Sequence, residues 1–459
     1  MKTVLVLALA LACAAPGLAL AQGRKPAKAV TPPMTITRLP TGLTVVTVPA
    51  PAPGIVAYYT LMRVGSRNEV EPGHSGFAHL FEHMMFFGTP TWPRVKWEAA
   101  LKERGLDSSG FTSSDMTVFH LTGPTAALPF VIETEADRFQ NLTYDEAGFK
   151  TETKAVLGEY NKNFANPVRK LAEVLYDKAF DVHTYKHTTM GFVADIQAMP
   201  GYYAYSKDFF QRFYRPDNAV IFVVGDFDPK ATLALVKRHY GAWKGKGAGT
   251  KVPVEPPQTA PRTAHIDWAT PTMPRLYAGY HTPAATLKTK DAAIQNVLGP
   301  LLFGPQSPLY RDLVLTRQLC YDVSADYDDH RDAHLFGYLA TCKDPKDLPE
   351  VQRTVDAALA ELAAGTLDPK RLADVQSNLR YSLMMQLETP GAIALMLAVN
   401  TAPTGDPKAL DRLLAQIGTV TVKDVAAFAR KYLVAQNRTV VTLTGVAAKA
   451  ARPVAGGAK

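Results

Sequence analysis

His79-Leu80-Phe81-Glu82-His83 sets two imidazoles four residues apart, with a carboxylate one residue before the second. On a helix, residues four apart share a face, so both rings can turn toward one cation with Glu82 beside them. This spacing reads as the inverted order of the commoner H-E-x-x-H zinc-hydrolase helix. It supplies two metal ligands and a general base that can take a proton from a metal-bound water. Zinc, one ion per chain, suits these ligand types, with manganese or cobalt as substitutes. A five-residue pattern of this kind arises by accident in roughly one chain in a hundred of this length.

A helix is needed to present the three residues. At about 100° per residue, Phe77, Leu80, Phe81, Met84 and Met85 fall on the side away from the His/Glu face and supply an apolar back. Gly73 and Ser75 are start signals and Gly88 a stop. The third protein ligand must come from elsewhere. In FKTETKAVLGEYNKN, from Phe149 to Asn163, Glu152 and Glu159 are about two helical turns apart and face the same way. One can coordinate the metal while the other holds a ligand histidine. Taken without the histidine motif, two solvated glutamates on an amphipathic helix is the plainer reading.

The run GHSGFAHLFEHMMFFGT, Gly73 to Thr89, resembles the active-site helix of the pitrilysin family, which includes insulin-degrading enzyme and the mitochondrial processing peptidases. The likeness extends from about residue 36 to about residue 446, and takes in His183 to Tyr185, Gly191 and the stretch Phe210 to Asp228. It implies Glu159 as the third ligand and Glu152 as the supporting carboxylate. It also implies two homologous α+β domains, each a sandwich of sheet and helices, with a peptide-enclosing chamber completed by dimerisation. Zinc-dependent endopeptidase action on unstructured peptides follows from that resemblance, with a non-catalytic assembly or peptide-binding subunit of the same fold as the alternative.

Two departures from the family pattern stand out. Ser109-Gly110 occupies the place where catalytic members carry an Asn-Ala pair before the substrate-binding edge strand. Substrate is expected to add alongside Met116 to Leu121, a segment that includes Phe119, with Ser109 as a hydrogen-bond donor. In the second half, members that complete the site use an Arg and a Tyr seven residues apart. Tyr321 supplies the tyrosine, but Val314 stands at the arginine's place, and Arg311 and Arg317 are out of register. A heterodimer with a zinc-less sister chain carrying that Arg/Tyr pair is therefore favoured over a homodimer.

The chain divides at a Gly-, Lys- and Pro-bearing segment without an apolar period, residues 245–262. The expected organisation is a signal peptide at 1–21, an extension at 22–35, a zinc domain at 36–244, a homologous domain at 263–448 and a tail at 449–459. The halves echo each other at about 220 residues, since Phe213 to Gly225 and Lys431 to Gly445 both join a helix end to a β-rich run. Lys2, the apolar run from Val4 and the small residues Ala19 to Ala21 mark secretion, to a periplasm or beyond. Lipid attachment at Cys13 ranks below it. No other run reaches the roughly 18 to 20 apolar residues of a membrane span.

Cys320 and Cys342 flank a polar turn at Asp328 to Asp332, and a cross-strand disulfide and two buried thiols are equal readings. The formal charge of +8 is scattered without a basic block, which argues against nucleic acid as a partner.

Overall fold

The computed structural model describes residues 30–245, 247 and 250–446. The expected signal peptide, Cys13 and the tail at 449–459 lie outside these residues, as do parts of the extension and of the linker.

Two sheets organise the chain. The first comprises β1 (Thr35–Arg38), β2 (Thr44–Pro49), β3 (Ile55–Met62), β4 (Asp107–Thr112), β5 (Thr117–Pro124) and β6 (Ala219–Gly225) in the order β1-β2-β6-β3-β5-β4. The second comprises β7 (Arg262–Trp268), β8 (Arg275–Thr282), β9 (Cys320–Asp326), β10 (His334–Cys342) and β11 (Arg438–Gly445) in the order β7-β11-β8-β10-β9. Leaving β1 aside, the orders coincide strand for strand, and each has one parallel pair, β2 with β6 and β7 with β11. The internal echo between the halves is therefore a repeat of topology: the helices Tyr203–Phe213 and Val422–Tyr432 each lead into the parallel-paired strand, β6 or β11.

Strands β3 and β6 read as nearly unbroken apolar runs because both faces of the first sheet are covered. Val56, Tyr58 and Met62 point into a core shared with α1 (Phe77–Met84), α2 (Arg94–Glu103), α3 (Leu128–Asn141) and α4 (Glu146–Phe164). Ala57, Tyr59 and Leu61 point to the other face, where Ile393, Ala394 and Leu397 cover them from the second domain's helix Pro390–Thr404. The exchange is reciprocal. Leu171, Leu175 and Ala179 of α5 (Pro167–Ala179) pack on Tyr277, Leu335, Val441 and Leu443 of the second sheet. Both exchanged helices start by the same device, a side-chain cap at Asn166 or Thr389 followed by proline.

The β-branched and apolar runs within Leu43 to Val48 and Ile55 to Val64 form β2 and β3, and Met116 to Leu121 falls largely in β5. One expectation is overturned here. The segment Met116 to Leu121 is no edge, because β5 pairs with β3 on one side and β4 on the other. The free edge is β4, bonded only to β5. Phe119, expected to meet substrate, is fully buried, with its ring among Phe86, Phe139 and Tyr214. Alternation on the strand turns it into the core.

Candidate metal centre

Helix α1 is only eight residues long, and its position is fixed from several sides. Its apolar back behaves as its period predicts, with Phe77, Leu80, Phe81, Met84 and Met85 all buried. The start lies at Gly76, past Gly73 and Ser75. Gly76 has φ 92°, and a Cβ there would come within 2.7 Å of the Met190 carbonyl oxygen. Glu69, 4 % exposed, accepts the free N–H groups of Gly76 and Ala78 at 2.8 and 2.7 Å. Burial pushes its carboxyl up to about 8 against the pull of those two donors. Ser75 is tied through N and Oγ to Asp195. A 3-10 turn follows the helix, and Gly88, at φ 91°, ends the run.

Helix α4 packs against this face, with Glu152 and Glu159 turned toward the two histidines. Glu159 Oε2 lies 3.6 Å from His79 Nε2 and 3.4 Å from His83 Nε2. Three ligand atoms, one each from His79, His83 and Glu159, fall within 4.8 Å of one another. These separations are too long for good hydrogen bonds. They suit a shared cation, because tetrahedral bonds of about 2.0–2.1 Å set ligand atoms roughly 3.3 Å apart. Glu152 Oε1 takes the other nitrogen of His83, Nδ1, at 2.8 Å, which leaves Nε2 to face Glu159. His79 Nδ1 is buried without a hydrogen-bond partner. The donor set fits zinc.

The charges are consistent with this arrangement. Burial, with His83 adding to it, pulls the His79 imidazole down to about 4, which favours the neutral form that a metal requires. Burial also pulls on His83, but the Glu152 carboxylate, with Glu82 and Glu159, outweighs it and raises its pKa. The hydrogen bond to His83 holds the Glu152 carboxyl below its usual range. Burial raises Glu82, opposed by a hydrogen bond from Thr112 and by His83.

Two contacts of the site had no sequence signal of their own. Thr112 Oγ1 donates to Glu82 Oε2 at 2.7 Å. Asn163 Nδ2 donates to Glu159 Oε1 at 3.3 Å, holding the oxygen that does not face the histidines. Both contacts come from tertiary packing and from helix spacing beyond the motif.

Strand β4 passes directly over the base. A Cβ on Gly110 would sit 3.3 Å from Glu82 Cγ, so the Gly in the departing Ser109-Gly110 pair allows a close approach. Since Gly110 and Thr112 face Glu82, the exposed Ser109 side chain points to the opposite face. Tyr321 lies on β9 at the edge of the second sheet, 58 % exposed, with the Lys343 ammonium 5.5 Å from its ring centre. The structure does not bring it to the metal ligands. A cavity of about 590 Å³ adjoins Thr112 and is walled by both domains, including Tyr176, Met190, Asp328 and Met396.

Fold and site together define a two-domain metallopeptidase scaffold. Residues 45–192 match the family described as Insulinase (Peptidase family M16), and residues 203–379 match the Peptidase M16 inactive domain, so the chain belongs to peptidase family M16. It is 28 % identical over 418 residues to a Helicobacter pylori protein named zinc protease PqqE, covering 88 % of this chain and 91 % of that one. A probable mitochondrial-processing peptidase subunit beta of Schizosaccharomyces pombe is 24 % identical, covering 89 % and 91 %. The crystal structure of a protease from Helicobacter pylori superposes with a TM-score of 0.84 at 27 % identity, over 90 % of this chain and 100 % of that one. The periplasmic protease PqqL of Escherichia coli shares the fold, with a TM-score of 0.72 at 21 % identity, and this chain covers 47 % of its length.

Proposed function

We propose that this chain is a zinc-dependent endopeptidase that hydrolyses unstructured peptides in the periplasm or outside the cell. The observation that carries the reading is the convergence of His79, His83 and Glu159 on one point, with Glu82 beside them beneath the free edge of β4. The names of the relatives, zinc proteases among them, support it.

Zinc held by His79, His83 and Glu159 would supply Lewis-acid polarisation and lower the pKa of a water toward neutrality. The rest of the chemistry belongs to the chain. The unpaired N–H and C=O groups of β4 take a peptide backbone by strand addition. Glu82, aimed by Thr112, accepts the proton of the attacking water and returns it to the leaving amine. Burial brings its pKa closer to neutral, where an acid–base group works in both directions.

The second domain lacks the arginine of an Arg/Tyr pair, and its match is to the inactive domain. We therefore assign the missing pair to a zinc-less sister subunit in a heterodimer. The fold match to the first half of PqqL, a longer chain, supports pairing of two such units. Val314 at the arginine position is what favours this over a homodimer.

The test is hydrolysis of a quenched fluorescent peptide library by the mature, zinc-loaded chain, alone and with a zinc-less sister chain, beside Glu82→Gln. Cleavage that needs the sister and is lost in the variant supports the proposal. Cleavage by the chain alone removes the heterodimer. Bound zinc without cleavage in either case moves the reading to a non-catalytic subunit.

A further inference from the structure

The sheet orders make the β4–β5 hairpin of the first domain the counterpart of the β9–β10 hairpin of the second, each with an edge strand as one arm. The tips of these two hairpins touch. The first tip carries Asp115, 3 % exposed. Its Oδ1 accepts a hydrogen bond from Tyr185 Oη at 2.8 Å. Its Oδ2 accepts from His330 Nδ1 at 2.9 Å and from the backbone N–H of Arg331 at 3.2 Å. His330 and Arg331 form the tip of the second hairpin.

A separate arm joins the same loop to the first domain. Asp332 Oδ2 accepts from Arg67 Nε at 2.6 Å and lies 3.0 Å from His183 Nε2. His183 Nδ1 accepts from the Tyr185 N–H, so Nε2 carries the proton toward Asp332. The Asp332 side chain meets the β4–β5 tip only by way of Arg67, whose guanidinium stands 3.9 Å from Asp115 Oδ1 and whose backbone N–H independently donates to the Ser114 carbonyl at 2.9 Å.

Strand β4 is tethered on one side only, to β5, and ends three residues before Asp115 at Thr112, the residue that holds Glu82. Gly110 lies close against Glu82, where even a Cβ would stand 3.3 Å from Glu82 Cγ. A small displacement of β4 therefore reaches the base directly. We infer that Asp115 and His330 are positioning residues: the β4–β5 turn, held from its own domain by the N–H groups of Ser66 and Arg67 on the Ser113 and Ser114 carbonyls, is fixed from the other side by the second domain's hairpin tip, and with it the orientation of Glu82. The inference rests on the peptidase reading above and gives the second domain a part in catalysis that does not depend on an Arg/Tyr pair.

The experiment uses the full mature chain, zinc-loaded and with whatever sister chain activity requires, as wild type and as His330→Ala, His330→Asn and Asp332→Asn. Zinc content, melting temperature, kcat and KM are measured on an unstructured fluorogenic peptide. His330→Ala should lower kcat about tenfold, with KM within about twofold and zinc retained. His330→Asn, whose amide nitrogen can stand where Nδ1 stood, should recover most of kcat. Asp332→Asn should lower the melting temperature at least as far as His330→Ala while kcat stays within about twofold. An unchanged kcat in His330→Ala overturns the inference alone. So does a fall in Asp332→Asn that matches His330→Ala, because loosening of the interface would then explain both. A wild type that hydrolyses nothing overturns this inference together with the peptidase reading, since a base that does not act has nothing to be positioned for.

Discussion

Glu152 and Glu159 take opposite nitrogens of one imidazole: Glu152 Oε1 lies 2.8 Å from His83 Nδ1, and Glu159 Oε2 lies 3.4 Å from His83 Nε2. The seven-residue spacing on α4 thus assigns the two carboxylates different work on the same ring. Outer partners of this kind tune metal affinity by about 10–100-fold. Glu152→Ala should lose zinc to a competing chelator by about that factor, whereas Glu82→Gln should hold zinc as the wild type does. Equal retention in both variants would remove the role given to Glu152.

Thr112 offers Glu82 a hydrogen bond to a charged group, a class worth about 1.5–3 kcal/mol. Thr112→Val keeps the shape and deletes the donor. We expect kcat to fall about 10- to 100-fold with little change in KM, and Thr112→Ser to restore it. Steady-state kinetics on a fluorogenic peptide decide the matter, and a Val variant at wild-type kcat contradicts the proposed role.

The buried pair Glu135–Arg138 on α3 is a matter of stability. Its side chains are 0 % and 3 % exposed, 2.7 Å apart, and the guanidinium lies 5.0–5.4 Å from the ring centres of Phe86, Trp97, Phe119 and Phe139. Arg138→Leu strands the glutamate and should cost about 3–5 kcal/mol, while replacing both by apolar residues should cost much less. Chemical denaturation of the single and double variants measures the difference.

Acid should loosen the contact between the domains. At Asp332 burial pushes the carboxyl up, but His183 and Arg67 outweigh it and hold it well below the usual range. At Asp115 the hydrogen bonds from His330 and Tyr185 do the same against burial. Both folded pKa values are depressed, so their stabilisation is complete above the unfolded value of about 4 and is lost as pH falls below it. Hydrogen exchange at residues 328–332 should accelerate between about pH 4 and 2 in the wild type, and Asp332→Asn should flatten that dependence.

Cys320 and Cys342 are paired positions on β9 and β10, both buried thiols with Sγ atoms 3.6 Å apart. The structure carries the thiol form of the two readings. Because cross-strand neighbours lie within disulfide reach, a disulfide oxidant should close the pair, taking two electrons as two protons leave, seen as a loss of about 2 Da by mass spectrometry of the intact chain. Closure of a loop this size should add about 3 kcal/mol to stability. Thiols that survive the oxidant in the folded chain would count against the bridge.

Helical spacing puts His79, His83 and Glu82 on one face and Glu152 and Glu159 on one side of another helix, while the family resemblance, not the spacing, singles out Glu159 as the third candidate ligand. The edge strand was not. Residues Asp107 to Thr112, DSSGFT, carry one large apolar side chain, because an edge strand over a polar site buries little. The more apolar segment beside it reads as the better strand and was placed at the edge, although its apolar character comes from pairing on both sides. Phe119 fell with that placement. Thr112 and Asp115 act through contacts that depend on how the two hairpins come together, which no local pattern encodes, whereas Asn163 meets Glu159 through i,i+4 spacing on α4.

The exchanged helices also set a timetable for folding. The last strand of the first sheet ends at Gly225, yet the helix that shields its outer face ends at Thr404. Roughly 180 further residues must be made before that face can be closed, which at about 5–20 residues per second takes roughly ten to forty seconds. During that interval the sheet face that carries Ala57, Tyr59, Leu61 and Phe222 lacks the helix that covers it. A nascent chain of this design needs to be held unfolded until it is whole, and the zinc half expressed by itself should be recovered as aggregate.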